Sequence, residues 1–427
     1  MPKEVPMSHR LSLALLAWTM SGCAAEVEDI AADEGVDGVA VTKQGLISYS
    51  RPGFVTTSST YRFANRCAGD PVGDIGKLTQ RPDYVLAYRS GHSSCGVDAP
   101  FACPAGMNCD AWIPRPSLKR SAPAKHRQGI QRLYRGGINY LFVSNSVEYR
   151  STEPAWSRFA GFETIDLATK DNLAGKLGSN VTPSTWPPCE DHIAKYTPYS
   201  NSSYDHAGGI AVMGEFIAVP FVHASPRDAR GRTRLYDLAN PVAPAFMYSV
   251  DRTRGSASEL NNAGSAGLTR LDDLKYLLMV WGNDAREVEV YVSHDGTIAS
   301  QFRSVAQRAM PGSFDGYQGT VFVTGCDGSL YVAATHRNSD GEDWVDLWQV
   351  TFDEGSDYFP RFAKVASRHL YCLSDVTEGK QYCNFAAAAG IHVDTNGRLI
   401  LYATEHYNDA FPVDQAFGVK LREFASF

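Results

Sequence analysis

Residues 319–350 read GTVFVTGCDGSLYVAATHRNSDGEDWVDLWQV, and the order of features within them decides the fold. Gly319-Thr320-Val321 opens a small apolar strand, Asp327-Gly328 supplies a tight turn, and Leu330-Tyr331-Val332-Ala333 follows as an unbroken apolar run. Asp-Gly readily takes the positive φ that a short hairpin needs, so the first two strands are predicted to be antiparallel neighbours. So short an apolar run marks a strand covered on both faces. Val345-Asp346-Leu347-Trp348-Gln349-Val350 then alternates, which predicts one packed face and one wet face.

The same order recurs four times. First strands open at Gly129-Ile130, Gly209-Ile210, Gly267-Leu268 and Gly390-Ile391, and their turns are Gly136-Gly137, Gly214-Glu215, Asp272-Asp273 and Asn396-Gly397. Apolar second strands follow at 140–143, 216–219, 276–280 and 399–402, and alternating third strands at 162–167, 233–238, 288–292 and 417–421. Weaker fourth strands lie near 246–250, 298–305 and 362–365, while that of the first repeat is not evident. The glycine marks at 129, 209, 267, 319 and 390 are 80, 58, 52 and 71 residues apart, the excess lying in insertions such as Trp186-Pro187-Pro188-Cys189. Four-stranded units that cannot bury both faces alone must stack on one another, and radial stacking gives a propeller. The fold expected is therefore all-β, a β-propeller of five four-stranded blades. A sixth blade from residues 45–125 and a pair of β-sandwiches are the alternatives.

The fifth repeat reaches only its third strand before Phe427. Its outer strand is expected from the N-terminal region, either Leu46-Ile47-Ser48-Tyr49 or Tyr84-Val85-Leu86-Ala87-Tyr88, which would seal the ring and remove exposed edges. The stretch His206-Ala207-Gly208-Gly209-Ile210 through Arg234-Leu235-Tyr236-Asp237-Leu238-Ala239-Asn240-Pro241 resembles the repeat unit of secreted bacterial propellers. That resemblance covers residues 126–424 and implies architecture, not chemistry.

Lys3, His9 and Arg10 precede an apolar run from Leu11 to Met20 that ends in Ser21, Gly22 and Cys23. The run is about half the ~20 residues of a membrane span, so it reads as an export signal that is removed. Met20-Ser21-Gly22-Cys23 resembles the bacterial lipobox, which implies lipidation of Cys23, and Ala24-Ala25 resembles the sequel of an outer-membrane lipoprotein. A soluble secreted protein is the alternative. The organisation expected is a lipoprotein signal over 1–22, an acidic flexible tether over 23–44, a Cys-rich segment with the ring-closing strand over 45–125, and the propeller over 126–427. In an oxidising compartment, Cys67, Cys95, Cys103, Cys109, Cys189, Cys326, Cys372 and Cys383 read as disulfide partners. Cys372 with Cys383 would close a short loop. With a net charge of −7 and no basic block, nucleic acid is not an expected partner, and membrane contact is expected only through the lipid anchor.

The loops entering first strands and those leaving second strands share one rim, at the mouth of the central channel, where propeller ligands are expected. The entering loops carry His126, Asp205, His206, Asn262 and Gln318, and the second-strand ends carry Asn145, His223, Asn283, His336, Glu405 and His406. Histidine numbers 11 in the whole chain, so its recurrence here points to a ligand pocket. The competing reading is that such side chains satisfy backbone groups where strands end. Imidazoles and amides beside aromatic residues suit a small molecule, carbohydrate or peptide. A His with a carboxylate would instead make the mouth a hydrolase or lyase. A divalent metal on His126, His206, His336 and His406 is a further expectation, without any local metal motif. Calcium on Asn338-Ser339-Asp340-Gly341-Glu342-Asp343 is another, although the spacing is not that of an EF-hand. Ala263-Gly264-Ser265-Ala266-Gly267 has a nucleophile-elbow pattern but lacks the strand-turn-helix setting.

Overall fold

The computed structural model describes residues 66–89, 124–135, 138–148, 160–166, 192–199, 203–223, 231–252, 262–271, 274–282, 285–314, 316–353, 358–371, 383–404 and 418–426. The signal, Cys23, the tether, Leu46–Tyr49 and the Trp186–Cys189 insertion lie outside them. The chain is a β-propeller. Its described strands form one four-stranded sheet, two five-stranded sheets and one closed set of eight strands, and dividing the eight into two fours leaves mainly antiparallel units, here called blades.

A short strand β1 (Cys67–Ala68), helix α1 (Pro71–Lys77) and strand β2 (Leu78–Arg89) come first. The first blade holds β3 (Ala124–Arg135), β4 (Ile138–Glu148), β5 (Ala160–Asp166) and β6 (His192–Tyr199). In the second, the inner strand is broken into β7 (Tyr204–Ala207) and β8 (Ala211–Met213), both paired with β9 (Phe216–His223), followed by β10 (Arg232–Asp237) and β11 (Ala245–Asp251). The third has β12 (Ser265–Arg270), β13 (Tyr276–Trp281), β14 (Glu287–Ser293) and β15 (Phe302–Ala309), and the fourth β16 (Gly319–Gly325), β17 (Leu330–Arg337), β18 (Asp343–Phe352) and β19 (Pro360–Leu370). The last is composite. β20 (Ala389–Val393), β21 (Leu399–Thr404) and β22 (Gly418–Ser426) are completed by β2, which pairs antiparallel with β22 from Leu78↔Ser426 to Arg89↔Gly418.

The closing strand is thus the Tyr84–Tyr88 candidate. α1 delivers it: Asp70 caps the helix by accepting from Gly73 N at 2.9 Å, Pro71 opens its first turn, and buried Asp74 accepts from Leu399 N at 3.1 Å. A disulfide between Cys67 and Cys326 ties this segment to the β16–β17 turn across 259 residues. Cys383 is also disulfide-bonded, to a partner outside the described residues. Blades five and one meet through two single parallel pairs, Ala389↔Gly129 and Arg89↔His192. A barrel wall needs continuous ladders, so we read these pairs as contacts between blades.

The apolar clusters explain the unbroken second strands. Leu277, Met279 and Trp281 face blade four, beside Phe322, Val332 and Trp348, while Tyr276, Leu278 and Val280 face blade two, beside Phe216, Ala218 and Leu235. Both faces are core, and each such side chain contributes about 1.5–3 kcal/mol by leaving water. Three third strands differ from expectation, because an acid on each is buried, while Arg234, Asp237 and Gln349 are half-buried. Glu163, Glu289 and Asp346 are at most 1% exposed, each opposite an apolar second-strand residue, Val143, Val280 or Ala334.

Inner strands converge on a glycine waist. A Cβ on Gly390 would lie 1.6 Å from Ile130 O, one on Gly129 2.4 Å from Ile210 N, and one on Gly208 2.0 Å from Gly264 O. Backbones this close admit only glycine. Gly267 is the exception among the repeat marks. In the third blade Ser265 sits at the waist, bridged to Gly209, and Gly267 lies two residues deeper, where a Cβ would come within 3.1 Å of the Phe322 ring.

Candidate functional site at the strand-entry end of the axis

Antiparallel order puts the start of every inner strand and the end of every second strand at one end of the axis. On the first-blade side, Gln128 Nε2 and His206 Nε2 are 3.0 Å apart, joining blades one and two. Below them Ser144 Oγ donates to Gly208 O at 2.6 Å and accepts from Gly129 N at 2.8 Å, while Ser146 Oγ accepts from Ala207 N at 3.0 Å. Burial pushes the His206 imidazole down to about 4, so it is neutral near neutral pH.

Asn145 stands opposite Arg127 on β3 and Gly161 on β5, and directly opposed residues share a face. It is 0% exposed, and neither its Oδ1 nor its Nδ2 has a hydrogen-bond partner. The pattern repeats around the same end. Asn262 is buried with Oδ1 unpartnered while its backbone carbonyl accepts from Arg252 Nη1 at 2.9 Å. Trp281 Nε1 and Thr335 Oγ1 are likewise buried without partners. Each such group would cost about 1–3 kcal/mol if left unmet, so water or a ligand must serve it.

The remaining candidates distribute as follows. His126 opposes Ser146 in β3, and Asp205 falls in the irregularity between Tyr204 and His206; their side chains lie outside the described residues. His223 opposes Tyr204, whose ring it meets edge-on at 5.1 Å. Gln318 lies just before β16, its backbone carbonyl against the Gly209 waist. Asn283, Glu405 and His406 lie outside the described residues.

His336 belongs to another network, at the same end but in the seam of blade four. Its Nε2 is 3.4 Å from Asp346 Oδ2, and its ring meets Tyr317 edge-on at 4.9 Å. Asp346 also accepts from Lys364 Nζ at 2.8 Å, from Ser367 Oγ and from Tyr317 OH. Burial alone would raise this carboxyl, but the hydrogen bonds from His336, Lys364, Ser367 and Tyr317 prevail and hold it well below the usual carboxylate range. Burial beside that carboxylate drives the Tyr317 hydroxyl well above its ordinary range. A similar arrangement joins blades two and three: buried Arg252 Nε lies 3.6 Å from Glu289 Oε2, and Ser304 Oγ donates to Glu289 at 2.6 Å. Sequence alternation gave no sign that these acids are internal; the only signal was an acid recurring three times beside the same apolar pattern.

Among the described residues, no group of three or more His, Cys, Asp or Glu is spaced to hold a metal ion. His206 faces Gln128 and His336 faces Asp346, so the two described members of the expected metal set are in separate seams. The oxygen-rich turn is internally satisfied. Asn338 Oδ1 accepts from Asp340 N and Glu342 N, and Asp343 pairs with Arg337 at 2.9 Å. Ser265 Oγ lies 2.6 Å from Thr320 Oγ1 inside a strand edge, with no elbow around it. No described helix is long and apolar enough to cross a membrane.

No protein-family model matches the chain, and no curated protein does. Solved structures give partial likenesses. A mannose phosphorylase from Leishmania mexicana in complex with phosphate ion is 8% identical over 71% of this chain and 84% of that one, with a TM-score of 0.39. A GH43 β-xylosidase/α-arabinofuranosidase from a compost microbial metagenome, in complex with xylotriose, is 9% identical over 70% and 91%, with a TM-score of 0.38. A GH43 enzyme from Xanthomonas citri complexed with xylose is 12% identical over 70% and 87%, with a TM-score of 0.37. Likenesses at these TM-scores decide nothing about the chemistry of this chain.

Proposed function

We propose that this propeller is a carbohydrate-active protein whose ligand enters the strand-entry mouth, and that it cleaves a glycosidic bond there. The observation that carries the reading is Asn145, an amide held fully buried with neither polar atom partnered. Around it the mouth offers the amides of Asn262 and Gln318, the neutral imidazole of His206 and the Thr335 hydroxyl. Uncharged donors and acceptors of this kind match a ligand made of hydroxyl groups, which would satisfy both amide atoms at once. Hydrolysis of a glycoside needs two carboxyl groups, one to protonate the leaving oxygen and one to attack or to activate water. Asp205 and Glu405, on the rim of blades two and five in the sequence, are the pair we assign. We also propose that Cys23 anchors the chain to the cell envelope, which predicts palmitate incorporation that is lost in Cys23→Ala.

Purified protein offered a panel of polysaccharides and aryl glycosides, with sugar release and calorimetric binding both measured, tests the reading. Release is expected from at least one member and should fall by about 10³-fold in Glu405→Gln while binding persists. Binding without release in the wild type would replace the hydrolase by a carbohydrate-binding module. Absence of any binding would overturn the proposal.

A further inference from the structure

We propose that the opposite, hairpin end of the axis holds a second site, for a small molecule bearing an oxyanion, either carboxylate or phosphate, gripped by Arg66, Arg132 and His392. This inference does not rest on the reading of the mouth.

A cavity of about 50 Å³ opens at this end. Arg66, Gln131, Arg132, Phe322 and His392 are among its ten described lining residues, and none of these ten is an acid. Arg132 is fixed in place: its guanidinium donates to Asn139 Oδ1 at 2.9 Å through Nε and to Tyr402 OH at 2.8 Å through Nη1. The carboxylate beyond is engaged. Tyr402 OH donates to Glu423 Oε2 at 2.8 Å, and Arg81 holds Glu423 Oε1 at 3.0 Å. Arg66 is set beside the cavity by its neighbour Cys67, whose disulfide pins the chain, and its guanidinium lies 6.0 Å from the Tyr134 ring centre.

His392 is the second, independent observation. Its ring stacks flat on Tyr402, centroids 5.3 Å apart and 7° between planes, so its orientation is set. Its Nδ1 is buried and has no hydrogen-bond partner. Burial, then the charges of Arg132 and Arg66, depress its proton affinity. The groups around it are Arg132 and Gln131 from β3, Arg66, and Tyr402 from β21, with Val212 and Phe322 completing the wall. An oxyanion among them would lie beside two guanidinium groups and give a protonated Nδ1 an acceptor. Binding should therefore take up a proton, which a purely structural histidine would not do.

The test is calorimetric titration of the full chain at constant ionic strength, with sodium phosphate, sodium acetate and, as control, sodium chloride. Saturable binding of phosphate or acetate above chloride is expected, and which of the two binds identifies the group recognised. Binding should weaken about tenfold in Arg66→Gln, the loss of one charge-assisted contact. Acetate keeps its own charge between pH 5.5 and 7.5, so tighter acetate binding at pH 5.5 in the wild type, abolished in His392→Gln, would report the imidazole. Neither anion binding above chloride, or equal binding by the wild type and both variants, would overturn the inference and leave the mouth reading standing.

Discussion

The two ends of one axis are built from the same inner strands and carry different side chains. At the strand-entry end the buried amides of Asn145 and Asn262, the Thr335 hydroxyl and an imidazole held uncharged at Gln128 stand beside buried charges of both signs, Arg127 opposite Asn145 and Asp346 in the blade-four seam. At the hairpin end Arg66, Arg132 and His392 surround a cavity with no acid among its described lining residues. Between them the glycine waist brings backbones so close that no side chain passes, so each end is free to hold its own chemistry. A propeller thus separates architecture from function along its axis: second strands make the core, and strand ends are left to carry sites.

The ends can be uncoupled by mutation. Cys326→Ser should have the largest effect, about 5 kcal/mol by the chain-entropy account for so long a loop, with Arg66 loosened and the mouth spared. Denaturant unfolding alongside both ligand titrations reads this directly; equal damage to both ends would break the separation. Asp346→Ala acts at the other end and should cost about 3–4 kcal/mol, because it leaves Tyr317 and Lys364 without their acceptor. Its folded carboxyl binds protons more weakly than the unfolded one. The stabilisation is therefore present above the unfolded value near 3.9 and lost as pH falls through the lower folded value, so acid unfolding should be less steep in the variant.

Gly390→Ala strikes the waist itself and should cost about 2–3 kcal/mol, since Ile130 O would have to move; Gly312→Ala, with open space around it, should be nearly neutral. Comparable melting temperatures for the two variants would contradict the close approach of the inner strands. His206→Gln should change stability at neutral pH the least, and should remove about 3 kcal/mol of its pH dependence. The folded imidazole titrates near 4 and the unfolded one near 6.5, so wild-type stability should fall as pH drops from 6.5 to 4, and the variant should lack that slope.

Much of the fold was legible because hairpin turns and unbroken apolar runs are local features. Leu330–Ala333 reads as a doubly covered strand from four residues, and a fifth repeat short of its outer strand called for closure by one of two N-terminal segments, of which Tyr84–Tyr88 lies in the strand that pairs with it. What escaped depends on neighbours distant in sequence. Gly267 was aligned with the waist glycines by its local pattern, but register is set across the sheet, and Ser265 occupies the place. Glu163, Glu289 and Asp346 read as a wet face because their partners come from other strands and other blades. The Cys67–Cys326 pairing is a property of the closed ring. At the mouth, the histidines were visible but the unpartnered amide of Asn145 was not, since burial is invisible in a strand-end Asn. His392 was hidden in an apolar strand, two residues past the glycine that marks its blade.

We assign the sugar to the strand-entry end, not to the hairpin end. That assignment is tested most directly by measuring the calorimetric affinity of the best-bound glycan for the wild type, Asn145→Ala and His392→Gln. The account predicts about a tenfold loss for Asn145→Ala and no change for His392→Gln. Equal losses in both, or a loss confined to His392→Gln, would contradict it.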